Sequence, residues 1–200
     1  MLDRFFDLIR EVPAPADAEL LYGFDEEGRR RERNLRRYLS LPHAPVLFLG
    51  EAPGWRGMTV TGVPFTSVRE AEAGVVPGLE LPGQPQAPWE ASSRVFWATM
   101  AQWSGPLPIS WPVYPHHPFE AGRPLTNRTP RVSEVRAGAP VARELVAALG
   151  IETIVAVGRK AQGALAEAGI DAPAIRHPAQ GGARQFTEQL LALNRAVVSS

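Results

Sequence analysis

Three residues far apart in the chain carry side chains suited to breaking a polar bond. Glu51 stands in Gly50-Glu51-Ala52-Pro53-Gly54, directly after the apolar run Val46-Leu47-Phe48-Leu49. A carboxylate held there by rigid backbone can orient a water molecule or stabilise a developing cation. Phe65, in Gly62-Val63-Pro64-Phe65-Thr66, is an aromatic in a loop and not on a periodic face. It can stack on a flat ligand such as a nucleobase. His177, in Arg176-His177-Pro178, can donate a hydrogen bond to a group that departs with negative charge. Each residue also has an ordinary structural use: a cap or ion-pair partner, a core ring, a core hydrogen bonder.

The elements that would position them follow from periodicity and punctuation. Leu2 to Glu11 reads as a short amphipathic helix stopped by Pro13 and Pro15. Ala16 to Leu39 reads as a second helical stretch, broken at Gly23 or Gly28. Its basic end, Arg29 to Tyr38, is either a solvated face or a phosphate-facing one. Val46 to Leu49 suits a strand buried on both faces of a parallel sheet. Gly50 to Ser67 and Val75 to Pro88 read as loops. Pro88 to Trp103 has helical spacing with proline at its start.

Ile109 to Tyr114 is a candidate strand in which Pro112 marks a sheet edge or bulge. His116 to Pro130 reads as polar loop, and Arg131 to Leu149 as helix. Ile154 to Gly158 repeats the pattern of apolar strand ending in glycine, and Arg159 to Ala168 is a helix ended by Gly169. Ala174 to Arg176 is a short strand before His177, and Gly181 to Val198 a terminal helix. This order predicts a three-layer α/β/α sandwich around a central, mainly parallel four-stranded sheet. The whole of 1–200 is one domain, with 1–44 a helical extension and 45–200 the core. Ligands of such sheets sit beyond the carboxyl ends of the strands, which brings Glu51 and His177 to one edge.

The motifs, taken in order, resemble those of the uracil-DNA glycosylase superfamily. Gly50 to Gly54 followed by Gly62 to Phe65 is similar to that family's first motif, in the branches written GEAPG. Asn127-Arg128-Thr129-Pro130 resembles a segment of the iron–sulfur branch. Ile154 to Gly158 with Arg159-Lys160-Ala161 resembles the family's valine-rich strand and following helix. His177-Pro178-Ala179 resembles its second catalytic motif.

The resemblance implies that a nucleotide is flipped into a pocket. Phe65 would stack on the base, with Gly50, Ala52, Pro53 and Trp111 around it. Glu51 would position water or stabilise the oxocarbenium-like sugar, and His177 would stabilise the departing base anion. Gly54, Arg128, Gln180, Gly181 and Arg184 would meet the DNA, with Gln180 or Arg184 filling the gap in the stack. Gly181 and Gly182 let backbone approach a phosphate, or simply form a turn before the last helix.

Two departures from the family pattern matter. The chain has no cysteine, so an iron–sulfur cluster is excluded. The family's second strand usually carries an asparagine that reads the uracil edge; here Trp111 or Pro112 stands in its place, depending on register. Loss of a bidentate amide weakens discrimination between bases. The adjacent His116 and His117 point to opposite sides of an extended segment. Neither is expected to bind metal; one of them is expected to line the base pocket or contact DNA.

Composition agrees with a globular domain: 44% apolar, 21% charged and net charge zero. Zero net charge argues against bulk electrostatic coating of nucleic acid. Lys160 is the only lysine; the arginine excess suits phosphate recognition or reflects a compositional bias. No apolar run is long enough for a membrane span, and Met1 to Arg4 does not begin a secretory signal. The expectation is a cytoplasmic, monomeric DNA glycosylase acting on uracil without metal or cofactor. The alternatives are a glycosylase for hypoxanthine or xanthine, and a catalytically silent nucleic-acid-binding relative.

Overall fold

The computed structural model describes residues 2–84 and 89–198. Its elements are α1 (Asp3–Glu11), β1 (Ala18–Glu19), α2 (Glu26–Leu39), β2 (His43–Gly50), α3 (Met58–Thr61), α4 (Val68–Glu72) and α5 (Ala91–Met100). These are followed by β3 (Leu107–Pro112), β4 (His117–Pro118), α6 (Val132–Leu149), β5 (Thr153–Val157), α7 (Arg159–Glu167), β6 (Ala174–Ile175) and α8 (Ala183–Val198). Pro88, the expected start of the fifth helix, lies outside the described residues.

The sheet order is β3-β2-β5-β6 and every pairing is parallel. Val46 to Leu49 is buried throughout, as a central strand covered on both faces requires. Helix α6 packs against α1 and α7, and α5 packs against α8. With right-handed crossovers these two groups cover opposite faces, giving the expected three layers. Pro108 and Pro112 sit on the edge strand β3, where a missing N–H costs no ladder bond. The chain leaves β2 toward β3 on one side and returns past β2 to β5 on the other. The crevice for a ligand therefore opens at the carboxyl ends of β2 and β5.

Three expectations are corrected. Ala16 to Leu39 is not one helix: α2 begins only at Glu26, where Asp25 accepts from Gly28 N at 2.6 Å and sets the helix start as an N-cap. A Cβ on Gly28 would lie 2.4 Å from Gly23 O, so the first turn of α2 is folded tightly against the segment before it. That segment contributes β1, which pairs antiparallel with β4 inside the expected loop His116 to Pro130. Two-residue strands carry no period to read. Likewise, the expected loop Gly50 to Ser67 contains α3, a single turn. Among the described residues no helix is long and apolar enough to cross a membrane.

Candidate active site

A cavity of about 1280 Å³ opens beyond the strand ends, lined among others by Glu51, Phe65, Pro112, Lys160 and His177. Glu51 follows Gly50, the last residue of β2. The exit of β3 is pinned to this corner, with Val113 N donating to Gly50 O (3.0 Å) and Tyr114 N to Glu51 O (3.2 Å). Glu51 is half-buried. Burial pushes its carboxyl above the usual carboxylate range, and the Lys160 charge and the Thr129 hydroxyl oppose that shift.

Phe65 has a left-handed backbone, φ +51. A bulky residue there is strained and persists only where its surroundings hold it. The hold is visible. Tyr22 Oη donates to Gly62 O (2.7 Å), Thr61 Oγ1 to Thr66 O (2.7 Å) and Trp97 Nε1 to Thr66 Oγ1 (3.1 Å). Gly62 itself, φ +75, lies where a Cβ would strike the Arg31 backbone at 2.7 Å. One face of the Phe65 ring stacks on Phe96, with centroids 4.8 Å apart, and the ring lies 6.3 Å from that of His177. A base could use only the other face.

His177 follows β6. Its Nδ1 accepts from Ala179 N at 3.1 Å, so the proton of the neutral ring is on Nε2. Burial, and then the Arg176 charge, lower its pKa. The ring is thus a neutral N–H donor. Its place depends on two glycines: a Cβ at Gly158 would meet His177 Cβ at 3.0 Å, and one at Gly182 would meet His177 O at 2.0 Å. Gly182 is therefore needed for a turn that turns tightly onto His177. Gln180, φ +52, lies in the same turn and lines the cavity. Arg184 is 85% exposed, 3.7 Å from Glu188, and borders a separate groove between α5 and α8.

The other expected residues divide. Gly50, Ala52, Pro53 and Gly54 line the cavity. Pro112 pairs with Gly50 across the sheet and also lines it. Trp111 also borders the cavity, but its indole is fully buried against Phe5 (5.0 Å) and Tyr22 (6.2 Å). Its side chain is in the core, and Pro112, at the end of β3, lines the cavity.

Arg128 departs from expectation. Nε donates to Phe119 O, Nη1 to Thr129 O and Glu134, and Nη2 to Asp17 O and Glu134. All five guanidinium donors are engaged within the protein, so none is left for a phosphate. Arg128 instead fastens the 127–130 segment to the start of α6, where Glu134 also accepts from Arg131 N (2.6 Å).

The histidine pair is corrected too. Both rings are fully buried. His116 Nε2 donates to Val12 O at 3.0 Å, and burial lowers its pKa to about 4. The His117 nitrogens lie 2.9 Å from Pro53 O and 3.2 Å from Pro124 O. Neither lines the cavity; His117 supports the Gly50 to Gly54 loop from behind.

Sequence reasoning missed four neighbours. The Glu90 carboxyl fits against Gly54 and Gly57, where added Cβ atoms would come within 3.0 and 2.5 Å of it. Its burial raises its pKa, and Glu70 adds to the shift. Asn127 Oδ1 accepts from Trp55 N at 3.0 Å. Lys160 Nζ donates to Thr129 Oγ1 at 3.3 Å. Lys160 stood in the Arg159-Lys160-Ala161 motif and was isolated among arginines, but neither signal gave it a role. No cluster of three or more metal-ligating side chains occurs among the described residues.

The family model described as Uracil DNA glycosylase superfamily matches residues 37–198. The chain belongs to the uracil-DNA glycosylase superfamily. Its members' name is that of a DNA-repair glycosylase family, and the match spans both Glu51 and His177. The fold is similar to the crystal structure of wild-type SMUG2 from Pedobacter heparinus, with a TM-score of 0.64 at 16% identity, covering 98% of this chain and 99% of that one. Comparison with curated protein sequences returned no match.

Proposed function

We propose that this superfamily member is a DNA glycosylase that hydrolyses the N-glycosidic bond of uracil in DNA. The observation that carries the reading is the convergence of Glu51, Phe65 and His177 on one cavity. A flipped base would lie on the free face of Phe65. The bond to the sugar lengthens, and charge develops in opposite senses on its two sides. Glu51, as carboxylate, stabilises the cationic sugar, orients the water that attacks C1′ and accepts the proton that water loses as the C1′–O bond forms. His177 Nε2–H donates to the base as it leaves with the electron pair. A neutral imidazole serves better here than a charged one held in a buried site, because its dipole needs no counter-ion.

A second reading is favoured by Pro112. With no amide at the end of β3, the cavity has less to reject a larger deaminated base, and hypoxanthine or xanthine becomes the substrate. The two readings are tested by incubating the protein with oligonucleotides carrying uracil, hypoxanthine or xanthine, single- and double-stranded. Uracil release at the highest kcat/KM supports the first; release only of the purines replaces it with the second. Binding to all of them without release from any would mark a silent member.

A further inference from the structure

The five tryptophans of the chain fall into two groups. Trp97, Trp103 and Trp111 are buried, and the Trp97 and Trp103 indoles donate to Thr66 Oγ1 and Pro106 O. Trp55 is half-buried and Trp89 is 47% exposed. These two each adjoin a residue that lines the cavity, Gly54 and Glu90 respectively. A large aromatic facing water forgoes the stabilisation of burial. Two of them at the mouth of one cavity point to a surface that a ligand covers.

The backbone holds both in place. Trp55 and Arg56 are the middle residues of a turn in which Gly57 N donates to Gly54 O at 3.4 Å. Gly54 O also accepts from the Thr59 hydroxyl (3.2 Å), and Trp55 N donates to Asn127 Oδ1 (3.0 Å). The Glu90 carboxyl packs against both ends of this turn, where Cβ atoms on Gly54 and Gly57 would come within 3.0 and 2.5 Å of it. Ser93 Oγ donates to that carboxyl at 3.1 Å. Trp89, the residue before Glu90, is thereby tied to the same rim. The Arg56 guanidinium lies over the Trp55 ring, 4.6 Å from its centroid.

The charges are distributed to match. The basic run on α2 is neutralised: Arg30 pairs with Glu27, Arg31 with Glu19, Arg33 with Glu80, and Arg36 with Asp3 and Glu32. Arg56 makes no ion pair among the described residues. Nor do Arg159, Lys160 and Arg176 on the cavity wall, where Lys160 donates to a hydroxyl and Arg176 to Gln180 O. The Glu90 carboxyl is pushed toward its neutral form by burial and does little to offset the Arg56 charge. An apolar protein partner would have to cover that guanidinium uncompensated. A nucleic-acid strand would neutralise it with phosphate while its bases lie on the rings.

We propose that Trp55 and Trp89 are stacking positions for bases next to the flipped nucleotide, and that Arg56 meets their phosphate. The inference rests on the glycosylase reading, since it takes DNA to be what enters the cavity.

The test compares two lesion-free strands, a thymine homopolymer and the same sugar–phosphate chain without bases, by fluorescence anisotropy with the full chain. On the thymine strand Trp55→Ala weakens binding about tenfold and Trp89→Ala about threefold, while Trp55→Phe stays within about twofold of wild type. On the base-free strand both alanine variants bind as the wild type does. Arg56→Ala weakens binding to both strands and lowers the salt slope by about 0.7. Should an alanine variant fail to fold, the wild-type indole emission decides: the thymine strand quenches it and the base-free strand does not. Equal losses on the two strands, unchanged binding in both tryptophan variants, or equal quenching by both strands overturns the proposal. Base-dependent losses in a protein that releases no base from any lesion leave the stacking surface in place and overturn the glycosylase reading instead. Base release with unchanged binding does the reverse.

Discussion

The carboxyl ends of β2 and β6 open on the same cavity as that of β3, yet they are built from opposite chemistry. The first two present Glu51 and His177, each with its charge state set by burial and by specific neighbours. The third presents Pro112, with Trp111 turned away into the core. On the proposed reading, bond cleavage and base reading reside on different strands. A fold of this kind can keep the machinery that cleaves while the strand that reads is replaced.

The comparison predicts unequal losses. Glu51→Gln should lower kcat/KM for base release by about 10³-fold, measured in single-turnover assays. The acid limb of the wild-type pH profile should lie above the ordinary carboxylate range, because Glu51 is pushed upward and must be ionised to act. The same shift sets a stability sign. A raised carboxyl makes ionisation unfavourable to folding; the cost is absent below the unfolded value and complete above the folded one. Glu51→Gln should therefore raise Tm at neutral pH by about 1–2 °C, a gain that disappears on acidification. His177→Ala should cost about 10²-fold in kcat, from the loss of one donor to the leaving base.

Arginines sharpen the contrast between structure and surface. Arg128→Ala leaves the 6% exposed Glu134 carboxylate without its main partner. Denaturant melts should show a loss of about 3 kcal/mol. Pro112→Asn places an amide at the carboxyl end of β3 and should raise the preference for uracil over hypoxanthine by about tenfold; no change in the ratio would show that β3 does not read the base. Arg184→Ala should leave Tm unaltered and reduce the salt slope of DNA binding by about one, as expected of an exposed phosphate contact.

The layered sheet and its edge were legible because continuous apolar runs ending in glycine have few other uses. The place of Glu51 was legible for the same reason, since it follows such a run, whereas His177, after the two-residue β6 and Arg176, was legible through the His177-Pro178-Ala179 motif. Other features were hidden. Nothing local distinguishes Arg128 as an anchor from Arg128 as a phosphate ligand; Asp17, one of its partners, is 111 residues away in sequence. The β1–β4 pair is too short to show alternation, and the orientation of Trp111 required the register of β3 against β2. Glu90 was assigned inside a helix that in fact begins after it.

The central claim is that the edge carrying Glu51 and His177 is a hydrolytic centre. Single-turnover release of uracil from a single-stranded oligonucleotide, by wild type and by Glu51→Gln, tests it most directly. The account predicts clear release by the wild type and loss of about three orders of magnitude in a variant that still folds and binds the DNA. Equal release by both proteins would contradict it.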